Sequence, residues 1–185
     1  MPLWAWALLG VLALLLVFAV YGYNRLVRLR NEADTGWANI DVQLERRTDL
    51  IPNLVETVRG YAAHERAVFE AVTKARAAVQ QAHTPGQAGD ANDILTAALG
   101  RLFAVAEAYP ELRASENFLR LQEDLTDTED KISAARRYYN STVMHFNTAI
   151  QSIPWALVAR PLGFRAKEFF SAAGDTAVPQ VSLAP

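Results

Sequence analysis

Residues 23–81 read YNRLVRLRNEADTGWANIDVQLERRTDLIPNLVETVRGYAAHERAVFEAVTKARAAVQQ. Alternating steps of three and four through this stretch meet Tyr23, Leu26, Arg30, Ala33, Trp37, Ile40, Leu44, Arg47, Ile51, Leu54, Val58, Tyr61, Glu65, Val68, Val72, Ala75 and Val79. Only Arg30, Arg47 and Glu65 break the apolar character of that series. A stripe at this period is one face of a helix, and its length implies packing against other helices. Leu50, Val55 and Phe69 widen it, as a bundle requires and a two-stranded coil does not. The fold class that follows is all-α.

Pro52 is the awkward residue, because its ring crowds the carbonyl of Thr48 and removes a backbone donor. Thr48 or Asp49 would serve as the cap of a new helix starting there. The stripe nevertheless keeps its phase from Arg47 through Ile51 to Leu54. The expectation is one kinked helix running on to about Gln81, with a reversal of the chain at Pro52 as the alternative.

Upstream, Leu3–Tyr23 contains 21 residues and no formal charge. As a helix it would measure roughly 31 Å, enough to cross the hydrocarbon of a bilayer. Trp4 and Trp6 stand at one end and Tyr21 and Tyr23 at the other, the places where interfacial aromatics collect. A cleaved signal peptide fits less well, since no Lys or Arg precedes the run and the run is long. Residues 1–23 are therefore expected to be a single-pass transmembrane anchor. Arg25, Arg28 and Arg30 follow it directly, which places the N-terminus outside and the remainder in the cytoplasm of a cell with an inner membrane. These arginines also suit anionic headgroups.

Downstream, His83–Asp90 is dense in Pro and Gly and reads as a loop. A second helix is expected from about Ala91 to Tyr109, burying Leu95, Leu99, Leu102, Ala106 and Tyr109. Pro110 ends or bends it, and Ser115 is placed to cap a third helix running to about Ile153. The third carries Phe118, Leu121, Leu125, Thr128, Ile132, Ala135, Tyr139, Val143, Phe146, Ile150 and Ile153. Two arrangements satisfy these lengths: an elongated antiparallel hairpin, slightly favoured, and a compact up-and-down bundle with turns at Pro52 and Pro110. The helical bundle is assigned to residues 24–153. Residues 154–173 form a basic and aromatic segment, in which Trp155, Leu157, Phe164, Phe169 and Phe170 alternate with Arg160, Arg165 and Lys167. That composition suits either a membrane interface or a plug for the bundle's end. Residues 174–185 have little to fold with and are expected to be a mobile tail.

The 185 residues carry 18 Lys and Arg against 20 Asp and Glu, which argues against nucleic-acid binding. Cysteine is absent, removing disulfides, thiolate metal sites and cysteine nucleophiles. None of His64, His83 and His145 stands three residues after a glutamate, so the paired Glu-x-x-His ligands of a di-metal bundle are missing. Glu123, Asp124, Asp127, Glu129 and Asp130 crowd one helix, where a solvated face or pairing with arginines of a neighbouring helix is the ordinary outcome and a weak divalent-cation site the rarer one. No phosphate-binding loop and no serine elbow occurs. The residues thus indicate no active site, no cofactor and no metal.

Two long blocks carry a family resemblance: IDVQLERRTDLIPNLVETVRGYAAHE at Ile40–Glu65 and EAYPELRASENFLRLQEDLTDTEDKISAARRYYN at Glu107–Asn140. With the anchor, they resemble the LemA family of bacterial membrane proteins. The resemblance implies a helical cytoplasmic bundle behind one N-terminal membrane helix, and it supplies no catalytic residues. Within the first block, Asp41, Gln43, Arg46, Arg47, Asp49, Asn53 and Glu56 are polar beyond what packing needs. They are candidates for a contact surface, or for neutralising backbone groups freed by Pro52. Trp4, Trp6, Tyr21, Tyr23, Arg25, Arg28, Arg30, Trp155, Phe164, Phe169 and Phe170 are the candidate membrane contacts. The expected function is a membrane-anchored, self-associating helical scaffold that organises or shapes membrane, its partners being the lipid bilayer and further copies of itself. The alternative is an adaptor that binds another protein near Pro52.

Overall fold

The computed structural model describes residues 3–170, and all regular structure among them is helical. The helices are α1 (Leu3–Arg59), α2 (Arg66–Gln80), α3 (Pro85–Glu107), α4 (Pro110–Arg113), α5 (Glu116–Gln151) and α6 (Ala156–Ala159). They fall into two compact units, one comprising Met1–Gly36 and Tyr138–Lys167 and the other Trp37–Arg137 and Glu168–Pro185. The expected mobile tail, 174–185, lies outside the described residues.

The larger unit is a four-helix bundle. The stripe predicted from sequence is its core on α1, with Ile40, Leu44, Ile51, Leu54 and Val58 all buried. Opposite them lie Phe69, Val72, Ala75 and Val79 of α2, Leu95, Leu99 and Leu102 of α3, and Phe118, Leu121, Leu125 and Ile132 of α5. Asn117 of α5 donates to Thr57 of α1 while Glu129 meets Arg47, so α5 runs antiparallel to α1. Arg59 covers the Phe69 ring and Arg76 reaches Thr48, so α2 also runs back along α1. Within this unit the up-and-down arrangement replaces the elongated hairpin.

The first reversal is not where either reading put it. Helix α1 runs on through Pro52 for seven residues and stops at Arg59; it does not reach Gln81. Gly60 and the short turns to Glu65 follow, and the stripe slips there: Tyr61 is exposed and Ala62 is buried. Why does Pro52 not end the helix? Its missing N–H leaves the Thr48 carbonyl without a helical partner, and Arg76 Nε of α2 donates to that oxygen at 2.7 Å. The group that compensates the proline therefore comes from the neighbouring helix, not from the polar residues around it. Arg76→Met keeps the stem but removes the donor, and should cost about 1–3 kcal/mol of bundle stability. Combining it with Pro52→Ala, which restores the backbone donor, should recover most of that loss in denaturant titrations of the full chain.

Helix α3 begins six residues earlier than expected. Thr84 accepts from the Gln87 backbone N–H at 3.3 Å, Gln87 Oε1 accepts from the His83 N–H at 3.1 Å, and Pro85 occupies the first turn. Residues dense in Pro and Gly are here a helix start rather than a loop. At its far end α3 stops at Glu107, leaving Tyr109 outside the helix and only half-buried.

In the smaller unit the apolar beginning of α1 continues into residues that pack on the end of α5. Leu26, Phe146, Ala149, Ile150, Val158 and Ala159 form its buried cluster. Gly36 sets the closest approach: a Cβ there would stand 3.3 Å from the Tyr139 Cα, so a larger side chain would force the two helices apart. Ile153, expected on the buried stripe of the third helix, lies beyond its end at Gln151 and is 83% exposed.

Candidate functional site

The polar residues singled out on α1 separate into an inward and an outward set. Arg47 points into the bundle and is 3% exposed. Its Nη1 donates to Asn92 Oδ1 and meets Glu129 Oε2, both at 2.5 Å, and its Nη2 donates to Thr96 Oγ1 at 3.1 Å. Three helices thus share one guanidinium. Burial pulls the Arg47 pKa below its ordinary value, against the opposing pull of Glu129, and arginine remains a cation through the physiological range. The next residue, Arg46, reaches outward to Asp124 at 3.7 Å and Asp127 at 3.5 Å. The Lys131 ammonium bonds Asp127 at 2.7 Å, and this bond, helped by Arg46, holds the Asp127 carboxyl below the ordinary carboxylate value. Three of the five clustered carboxylates are therefore occupied by cations of this chain, the pairing that is one of the two ordinary readings of such a face. Among the described residues, no group of three or more His, Asp or Glu is arranged to hold a metal ion.

Asp41, Asp49, Asn53 and Glu56 are exposed. Asp41 and Asp49 line an open groove of about 390 Å³ with Glu45, Trp37, Thr48 and residues of α2 and α3. The three carboxylates follow one another at four-residue steps, so they line one edge of α1. Glu45 escaped the sequence reading, although its spacing from Asp41 and Asp49 was visible. The Gln43 Oε1 is buried and has no hydrogen-bond partner, as is Arg47 Nε one turn later.

The candidate membrane residues also divide. Trp4 and Trp6 are exposed, as are Leu8, Leu9, Val11, Leu12, Leu14, Leu15, Leu16, Val17 and Val20, so this part of α1 presents apolar side chains outward all round. It is the one described helix long and apolar enough to cross a membrane. Tyr21, Arg25 and Arg28 are exposed at its end. Trp155 instead stacks on Phe18 with ring centres 5.7 Å apart, Phe164 meets Tyr23 edge-on at 6.0 Å, and Arg25 and Arg30 cover these two rings. Phe170 is a correction: it is buried in the larger unit beside Trp37, because an aromatic ring there completes the core. Phe169 is 41% exposed. Charge is segregated as well. The smaller unit carries six Lys and Arg against two Asp and Glu, and the larger unit twelve against eighteen.

Comparison with known families matches residues 36–183 to the LemA family. The chain belongs to that family. Among relatives, this LemA-family chain is 29% identical over 189 residues to magnetosome protein MamQ of Magnetospirillum gryphiswaldense, covering 86% of this chain and 70% of that protein. It is 27% identical over 207 residues to magnetosome protein MamQ 2 of Paramagnetospirillum magneticum, covering 96% and 76%. Protein LemA of Metamycoplasma hominis is 27% identical over 143 residues, covering 75% and 64%. The family match begins at Gly36, so it takes in all of the acidic groove and the Arg47 network.

Proposed function

We propose that the chain is a membrane-anchored scaffold without a catalytic step of its own, holding an acidic helical bundle at a bilayer where it recruits a basic segment of another protein. The observation that carries this reading is the groove edged by Asp41, Glu45 and Asp49, on the same helix whose first part is exposed and apolar. A row of carboxylates beside Trp37 suits Lys or Arg side chains, which bring both charge and an apolar stem. The excess of basic residues after the apolar stretch supports an N-terminus outside and a bundle in the cytoplasm, in an inner membrane. The likeness to magnetosome proteins supports membrane organisation as the setting.

Self-association is the second reading. The apolar stripe of α1 does not require a second copy, because α2, α3 and α5 cover it within the bundle. What still supports a homo-oligomer is the exposed apolar face of the anchor. One experiment separates the two. The full chain is purified in mild detergent and weighed by light scattering, and site-specific photo-cross-linking from Asn53 is run in membranes. The recruiting scaffold is expected to be monomeric and to cross-link to a different protein, an adduct lost in Asp41→Arg/Asp49→Arg while circular dichroism is unchanged. A defined oligomer with self-adducts would replace that reading with the second. No adduct of either kind would overturn both.

A further inference from the structure

We propose that residues 153–162 form a second membrane contact, entering the lipid interface beside the end of the anchor. This rests on the reading that the apolar part of α1 crosses a bilayer. Contacts within the smaller unit fix where the segment lies. Trp155 stacks on Phe18 and leans on Tyr21, with both pairs of ring centres 5.7 Å apart. Gly22 makes room for it: a Cβ there would stand 3.2 Å from Val158 Cγ2 and 3.3 Å from Trp155 Cε3. Helix α6 is thereby held against residues 18–22, the last turn of the apolar stretch.

The way the segment closes decides what faces outward. Gly163 has φ of +72°, its N–H bonds the Arg160 carbonyl at 3.2 Å, and the Phe164 N–H bonds the Ala159 carbonyl at 3.1 Å. This pair of bonds is the glycine-capped ending that suits a left-handed residue, and it swings Phe164 back against Phe146. Trp155, Val158 and Phe164 are consequently turned into the unit. Outward stand Ile153, Leu157 and Leu162, at 83%, 69% and 53% exposure. The aromatics that composition assigned to lipid are thus the packing side, and the aliphatics are the free side.

What covers that aliphatic side? It lies at the level of an α1 segment whose own exposed side chains are Val17, Val20 and Tyr21. If those meet lipid, so do Ile153 and Leu157, because they share its depth. The charges agree: Arg25, Arg28, Arg160 and Arg165 are exposed in the same unit, as an amphipathic segment at an anionic surface requires. A bilayer satisfies the apolar trio and the basic ring together.

The chain contains no cysteine, so single-cysteine variants label at one place. Full-length protein carrying Leu12→Cys, Ile153→Cys, Leu157→Cys or Val42→Cys is labelled with bimane and reconstituted in vesicles of phosphatidylethanolamine and phosphatidylglycerol. Quenching is then compared between aqueous iodide and lipid bearing a nitroxide near the headgroup or deep in the chain. The labels at 153 and 157 are expected to be quenched severalfold more by the shallow nitroxide than the label at 42, and shielded from iodide. Iodide access at 157 equal to that at 42, with 12 still quenched by the deep nitroxide, overturns this inference alone. Iodide access at 12 overturns the anchor. Shielding of 157 from iodide without lipid quenching means that protein covers it, and also overturns the inference.

Discussion

Glu129→Ala is expected to cost the bundle about 3 kcal/mol, far more than loss of a surface ion pair, which is worth about 0–1 kcal/mol. The difference arises from the partner left behind. Arg47 is 3% exposed, and without Glu129 its charge would keep the neutral Asn92 Oδ1 and Thr96 Oγ1 as hydrogen-bond partners and only the weaker pull of Asp93 as compensation. A guanidinium does not escape by losing its proton, so the cost of burying it appears in stability. Replacing the whole constellation tests the account: Arg47→Met, Asn92→Leu and Glu129→Met together should return stability to the wild-type level or above. Thr96 stays satisfied in that variant because its hydroxyl donates to the Asn92 backbone carbonyl at 3.0 Å. Denaturant unfolding of the full chain in micelles, followed by far-ultraviolet circular dichroism, measures both. A cost near that of a surface pair for Glu129→Ala would show that water, not the bundle, solvates Arg47.

This network marks the boundary of what a one-dimensional pattern reveals. The stripe on α1 identified Arg47 as a break in an apolar series, but its partners stand 45 and 82 residues further on, at Asn92 and Glu129. Nothing local connects them. The all-α class, the core positions of α1 and α5 and the pairing of the carboxylate cluster were readable, because each follows from spacing or charge along one helix. The first reversal was not. The stripe carries α1 through Pro52, as observed, but it runs on past Arg59 with no local sign of the turn, and the arginine that offsets the proline sits on the returning helix. The start of α3 was readable and missed: Thr84, Pro85 and Gln87 together are a helix-initiating pattern, obscured by two glycines nearby. In the acidic groove, Asp41 and Asp49 were singled out as chemically dense, but only packed helices create the groove they line.

Phe146→Ala is expected to lower the stability of the smaller unit by about 3–5 kcal/mol and to release its C-terminal segment. Phe146 is 1% exposed, lies in the cluster with Leu26, Ile150 and Val158, and has its ring 6.3 Å from that of Phe164. Removing it opens a cavity directly beneath the turn that returns from α6. The segment's polar fastening lies further along the chain. Asn147 exchanges two bonds of 2.9 Å with the Lys167 backbone, and the Lys167 ammonium lies 2.6 Å from Asp34. That fastening is polar and only part-buried, so it does not replace the lost ring. Trypsin reads the outcome at Arg165, which follows Phe164 directly and is exposed, whereas Arg160 precedes Pro161 and resists cleavage. If cleavage follows the population of the opened segment, a loss of about 3 kcal/mol raises its rate on the order of a hundredfold, at 1.4 kcal/mol per factor of ten. Phe146→Leu fills most of the space and should cost about 1.5 kcal/mol, with a correspondingly smaller increase in cutting. Equal cleavage in wild type and Phe146→Ala, measured while the chain remains helical, would mean that Asn147, Asp34 and the ring contacts to Phe18, Tyr21 and Tyr23 hold the segment without Phe146.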